Sequence, residues 1–138
     1  MSSLKTTFSG YVRYKGREGQ TSFLLHRITG LGILLFLTIH ILDTATVFFI
    51  PSLYEHGIAI YRTTFFGIGE IILIFCVIFH GVIGLRIAFF DWFPRLWTIE
   101  ATRKWAIITL VVSILLWLPA AAIMSRNILI HNYGFFGG

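Results

Sequence analysis

The sequence predicts an all-α membrane protein with three spanning helices that form part of a larger bundle. Three observations lead there. Of 138 residues, 57% are hydrophobic and only 12% are charged, where a soluble domain carries roughly 25% charged residues. Apolar runs at about 21–49, 63–91 and 104–125 each reach the ~20 residues that a helix needs to cross a bilayer. Ionisable side chains nevertheless lie in or at the ends of these runs: Arg27, His40, Asp43, Glu70, His80 and Arg86. Such groups are costly in lipid and turn toward a partner, a cavity or a cofactor, so three helices carrying them are expected to pack against another chain.

Residues 1–20 are polar and carry Lys5, Arg13, Lys15 and Arg17 with no apolar core. They read as a cytoplasmic segment and not as a cleaved signal. The first span, 21–49, follows. Residues 50–62, "IPSLYEHGIAIYR", begin with a proline one residue in and read as a short outer loop. After the second span, 63–91, the stretch "FPRLWTIEATRK" leads into the third, 104–125, where Pro119 removes a backbone hydrogen bond and is expected to kink the helix. Residues 126–138 read as a short outer tail. There is no internal repeat and no low-complexity tract.

The net charge of +5 is explained by topology without nucleic acid. Basic residues gather before the first span and around the second connection, as Arg86, Arg95, Arg103 and Lys104, while the first connection has Arg62 and the tail Arg126. The positive-inside rule then puts the N-terminus in the cytoplasm and the C-terminus outside, in a multi-pass protein of the cell inner (plasma) membrane. Trp92, Trp97 and Trp105 fall at the cytoplasmic interface, where amphipathic rings anchor. A single cysteine, Cys76, allows no disulfide within the chain and reads as packing.

The histidines carry the chemistry. At 100° per residue His26 and His40 share one face of the first span with Gly30, Ile33 and Leu37, and His80 shares a stripe of the second with Gly69, Leu73, Cys76 and Gly84. Glycine beside histidine admits the edge of a large planar cofactor, and it equally admits a closely packed helix across which the imidazole hydrogen-bonds. In the first case the group is haem, whose iron is held by imidazoles in membrane cytochromes. Counted from the cytoplasmic ends, His40 lies about 28 Å deep and His80 about 18 Å deep. That gap favours two haems at two depths, each completed by a histidine from another polypeptide. His26, at the cytoplasmic edge beside Arg27 and near Ser22 and Thr29, suits haem propionates, a quinone carbonyl or lipid headgroups. His56 and His131 read as solvent-exposed. Asp43, one turn beyond His40, and Glu70 are open between tuning a site and ending a helix.

Two motifs resemble a known family. "SFLLHRITG" at 22–30 is similar to the S-x-x-(x)-H-R-x-[ST]-G signature, and "HGVIGLR" at 80–86 to the H-x-x-x-G-x-R signature, of the cytochrome b membrane anchor of succinate dehydrogenase, respiratory complex II. The resemblance covers essentially the whole chain. It implies that His80 is an axial ligand of a cytoplasm-proximal haem b with Arg86 near its propionates, that Arg27 and Ser22 belong to a quinone site, and that His26 stands between quinone and propionate. The match departs at the serine, which stands five residues before Arg27, with Phe23 in the place four before it. "HILDT" at 40–44 is similar to the two-anchor, two-haem branch, which implies that His40 ligates a distal haem. The implied cofactors are haem b, in two copies, and menaquinone or ubiquinone. The implied partners are a flavoprotein that oxidises succinate, an iron–sulfur subunit, a second membrane anchor that supplies the other histidines, and membrane lipid. The alternatives are a quinol:fumarate reductase anchor with a quinol site near Glu55, Glu70 or Asp43, a haem-free anchor, and a proton-relay subunit of a transporter using His40, Asp43 and Glu70.

Overall fold

A computed structural model describes residues 18–96 and 98–135, and its described part consists of helices and their connections. The expected segment 1–17 with its four basic residues, and Trp97, lie outside the described residues. Helix α1 is Glu18–Phe49, α2 Pro51–Tyr61, α3 Thr64–Trp92 and α4 Ile99–Tyr133, with a 3-10 turn, Pro94–Leu96, between α3 and α4. Three of these helices are long and apolar enough to cross a membrane.

Prolines set two of the helix ends. A residue before proline is driven out of the α region. Ile50, at φ −145° and ψ 76°, therefore stops α1, and Pro51 opens α2 at the position where its missing N–H is not needed. Phe93, before Pro94, has φ −124° and ψ 68° and stops α3 in the same way. Helix α4 starts on Thr98, whose hydroxyl accepts from Ala101 N–H at 3.1 Å, an N-cap reinforced by Glu100 in the first turn. It ends on Gly134, which takes the left-handed conformation (φ 66°) and returns its N–H to Ile130 O.

Two elements differ from the sequence expectation. Residues 51–61 form a helix where a loop was expected, because Pro51 is a helix opener here and Gly57 sits within the helix without ending it. Helix α4 runs through Pro119 and on to Tyr133, eight residues past the expected end of the third apolar run.

The main contact is α3 on α4. Phe79, Ile83 and Phe90 of α3 and Ala106 and Ala121 of α4 form the apolar core, and Thr109 and Ser113 are buried among them. Ser113 donates to Thr109 O at 2.7 Å, and Thr109 to Trp105 O and Ala106 O, so each hydroxyl is satisfied within its own helix. Small side chains let the helices approach, the usual basis of association in lipid. Toward the C-terminal end of α4, a Cβ on Gly67 would lie 2.7 Å from Ile128 Cδ1. In between, Trp117 Nε1 donates to Ile71 O at 2.9 Å, with Phe75 edge-on to its ring. Helix α1 leans on α3 at fewer places and shows a broad apolar surface, with Leu31, Leu34 and Leu42 each at least 60% exposed.

Candidate functional site

The first site lies where α1 crosses α3. Gly30 brings the α1 backbone so close to His80 that a Cβ there would lie 2.8 Å from the imidazole Cε1. His80 Nδ1 is 3.0 Å from the main-chain oxygen of His26. A carbonyl only accepts, so Nδ1 carries the hydrogen and Nε2 keeps its lone pair. The ring is also stacked on that of His26, with centroids 3.9 Å apart and planes 10° from parallel. An imidazole committed through one nitrogen and braced on its face presents the other as a metal ligand in a fixed orientation.

Around His80 stand two polar atoms without partners. His26 Nδ1 and Arg86 Nε are buried and make no hydrogen bond within the described chain, which in an apolar setting calls for a bound partner. Arg86 Nη1 does reach Ser22 Oγ, at 3.4 Å, the long end of a hydrogen bond. Ser22 also edges an apolar hollow of about 200 Å3 shared by Leu25, Phe79, Ala106 and Leu110. Two contacts between α1 and α3 therefore lie one α1 turn apart, His26 with His80 and Ser22 with Arg86. Arg27 is in neither: it is exposed and lies over the Phe23 ring, 5.5 Å from the centroid. The glycines expected beside His80 on its own helix are not what it touches, since the space around a Cβ on Gly84 is open.

A second site lies farther along α1. His40 stacks on Phe36 at 5.5 Å and lines a cavity of about 480 Å3, within the range of small-molecule sites, whose polar groups are His40, Asp43, Thr44, Tyr54, Tyr61 and Glu70. Gly32 and Gly69 thin its walls. Partial burial, with the Asp43 carboxylate beside it, pushes the Tyr61 phenol above the ordinary range. His40 is ten residues beyond Gly30, about 15 Å up the same helix. The two imidazoles thus occupy separate levels, as the depths counted along the sequence imply. Tyr54 and Tyr61 were not singled out from the sequence. Their spacing of seven places them on one helical face, a signal that becomes visible once 51–61 is known to be a helix.

Of the remaining histidines, His56 is exposed and His131 bonds Asn127 O within α4. Cys76 is half-buried. Among the described residues no three His, Cys, Asp or Glu side chains gather as a metal site. A haem iron asks only one imidazole of this chain, so a lone histidine at each level is compatible with haem.

The family profile for the succinate dehydrogenase/fumarate reductase transmembrane subunit matches residues 8–120. The succinate dehydrogenase 2 membrane subunit SdhC of Mycobacterium tuberculosis is 31% identical over 118 residues, 86% of this chain and 85% of that protein. The two matches run through both histidine sites and all three long helices. On this ground the chain belongs to the transmembrane subunits of the succinate dehydrogenase/fumarate reductase family, as a multi-pass membrane anchor.

Proposed function

We propose that this chain is the cytochrome b anchor of a succinate:quinone oxidoreductase, with one haem b held by His80 near the cytoplasmic side, a second held by His40 near the outer side, and part of a quinone-reduction site at the start of α1. The observation that carries the reading is His80, with Nδ1 spent on the His26 carbonyl and its ring against Gly30. A histidine that ligates a metal is held in this way, by a hydrogen bond from its other ring nitrogen. The separate levels of His80 and His40 support two haems, since two sides of one iron cannot stand a helical stretch of about 15 Å apart. Bound haem supplies a reversible one-electron carrier whose potential follows its ligands and burial.

The residues of the chain have distinct tasks in this reading. Arg86 and His26, whose Nε and Nδ1 have no partner within the described chain, would be the groups to hold the anionic propionates of a haem at His80. Arg27, at the cytoplasmic end, stabilises negative charge that develops on a quinone oxygen, an effect strengthened where water is excluded. Ser22, at the edge of the apolar hollow, offers a hydroxyl to the quinone from the face that Arg86 holds. Electrons arrive from an iron–sulfur subunit served by a succinate-oxidising flavoprotein, and a second anchor covers α1 and supplies the opposing histidines. The N-terminus then faces the cytoplasm and the C-terminus the outer side. A quinol:fumarate reductase anchor remains the second reading, favoured by the acids and phenols that line the outer cavity.

The test is a haem count per flavin on the purified complex. Two haems, one lost with His80→Ala and a different one with His40→Ala, is the expected result. A count of one that is indifferent to His40 removes the distal assignment, and a haem-free intact complex removes the cytochrome reading altogether.

A further inference from the structure

Helix α2 has eleven residues and none of them is buried. A helix of that length is marginal on its own, so its position depends on what ties it down. Two ties converge on one side chain. The Tyr61 phenol stands beside the Asp43 carboxylate in the wall of one cavity, and Gly57, one turn earlier on the same face, lies so close that a Cβ there would stand 2.8 Å from Asp43 Oδ1. Tyr61 is also edge-on to Phe66 of α3, with centroids 5.2 Å apart. One carboxylate of α1 thus grips two successive turns of α2, and one phenol links α1 to α3. The face so held, Tyr54, Ile58 and Tyr61, is the wall that α2 contributes to the cavity containing His40.

We propose that Asp43 and Tyr61 are a positioning pair that fastens α2 across the outer cavity, limiting water around His40 and so setting the environment of whatever group His40 ligates. The inference rests on the reading of His40 as a haem ligand. Asp43 lies three residues beyond His40, so the grip on α2 is applied within one turn of the ligand. If α2 loosens, water enters and solvates the more positively charged oxidised haem, and the potential falls.

Tyr61→Phe in the intact complex is the direct test, because it keeps the ring on Phe66 and deletes only the hydroxyl. Gly57→Ala is the second variant, acting on the same carboxylate from the other turn. Two readings are taken in lipid nanodiscs: deuterium uptake of residues 51–61, and redox titration of both haems. The expected result is a several-fold faster uptake in 51–61 for both variants, with a lower potential for the haem that His40→Ala removes and an unchanged potential for the other. Unchanged uptake in both variants overturns the pair. Faster uptake with both potentials unchanged overturns its service to His40. If His40→Ala costs no haem, the count itself exposes the failure of the ligand reading, and the proposed role falls with it while the exchange data still report on the clasp.

Discussion

Gly30 decides how His80 is held. Its missing side chain is the space the imidazole occupies, and the ring has little freedom to yield, being fixed by the His26 carbonyl and stacked on the His26 ring. Gly30→Ala should push the ring off its acceptor and lower haem retention about 10–100-fold, as loss of a ligand's supporting contact does in metal sites. The measurement is haem per flavin after a chelating or detergent challenge. A Gly81→Ala control, on the exposed side of α3 with open space for its Cβ, should retain haem. Much of this residue-level chemistry was legible from the sequence, since the periodicity put Gly30 on the face of His26 and the motif singled out His80. What helical periodicity cannot tell is which glycine faces which histidine across an interface. Gly30 was legible as a small residue on the face of His26, and its contact with the His80 ring becomes visible only once the two helices are packed.

At the level of elements, α4 meets the large side chains of α3 with small buried residues, Ala106, Thr109, Ser113 and Ala121, and Ser113 is the most enclosed, with no exposed surface. Its hydroxyl bonds only to Thr109 O of its own helix, a carbonyl that also belongs to the helical ladder. Ser113→Ala should therefore change stability by less than about 0.5 kcal/mol, whereas Ser113→Leu, forcing methylenes into a filled space, should cost about 1–3 kcal/mol. Unfolding in mixed micelles distinguishes the two. The three long helices were legible because nothing but a helix satisfies the backbone of an apolar run in lipid. Helix α2 was not, because its proline and glycine are loop signals in isolation. The register of Tyr54, Ile58 and Tyr61 acquires meaning only against the cavity they wall, so the outer site was legible through His40 and Asp43 alone.

For the whole molecule, the exposed apolar face of α1 is the deciding feature. Its membrane-spanning stretch is not buried inside this chain, while α3 and α4 cover each other. Lipid satisfies such a face, but the half-buried histidines at its edge ask for groups that lipid lacks. Produced without a second anchor, the chain should insert yet hold little or no haem. Co-production with its second anchor should restore b-type absorbance, with the recovered haem per chain as the measure. Membrane class and helix number follow from composition, whereas what covers the exposed face of α1 does not.

The acceptor of His80 is a main-chain oxygen, and this separates two kinds of selection. A carbonyl is the same whichever side chain position 26 carries, so the hydrogen bond of His80 is encoded by the path of α1 and by Gly30, while the stacking on its ring is encoded by the histidine at position 26. Substituting His26 while preserving the helix is thus a way to hear the two separately. A substitution at position 26 that keeps the helix would leave the main-chain acceptor in place and remove only the stacked ring.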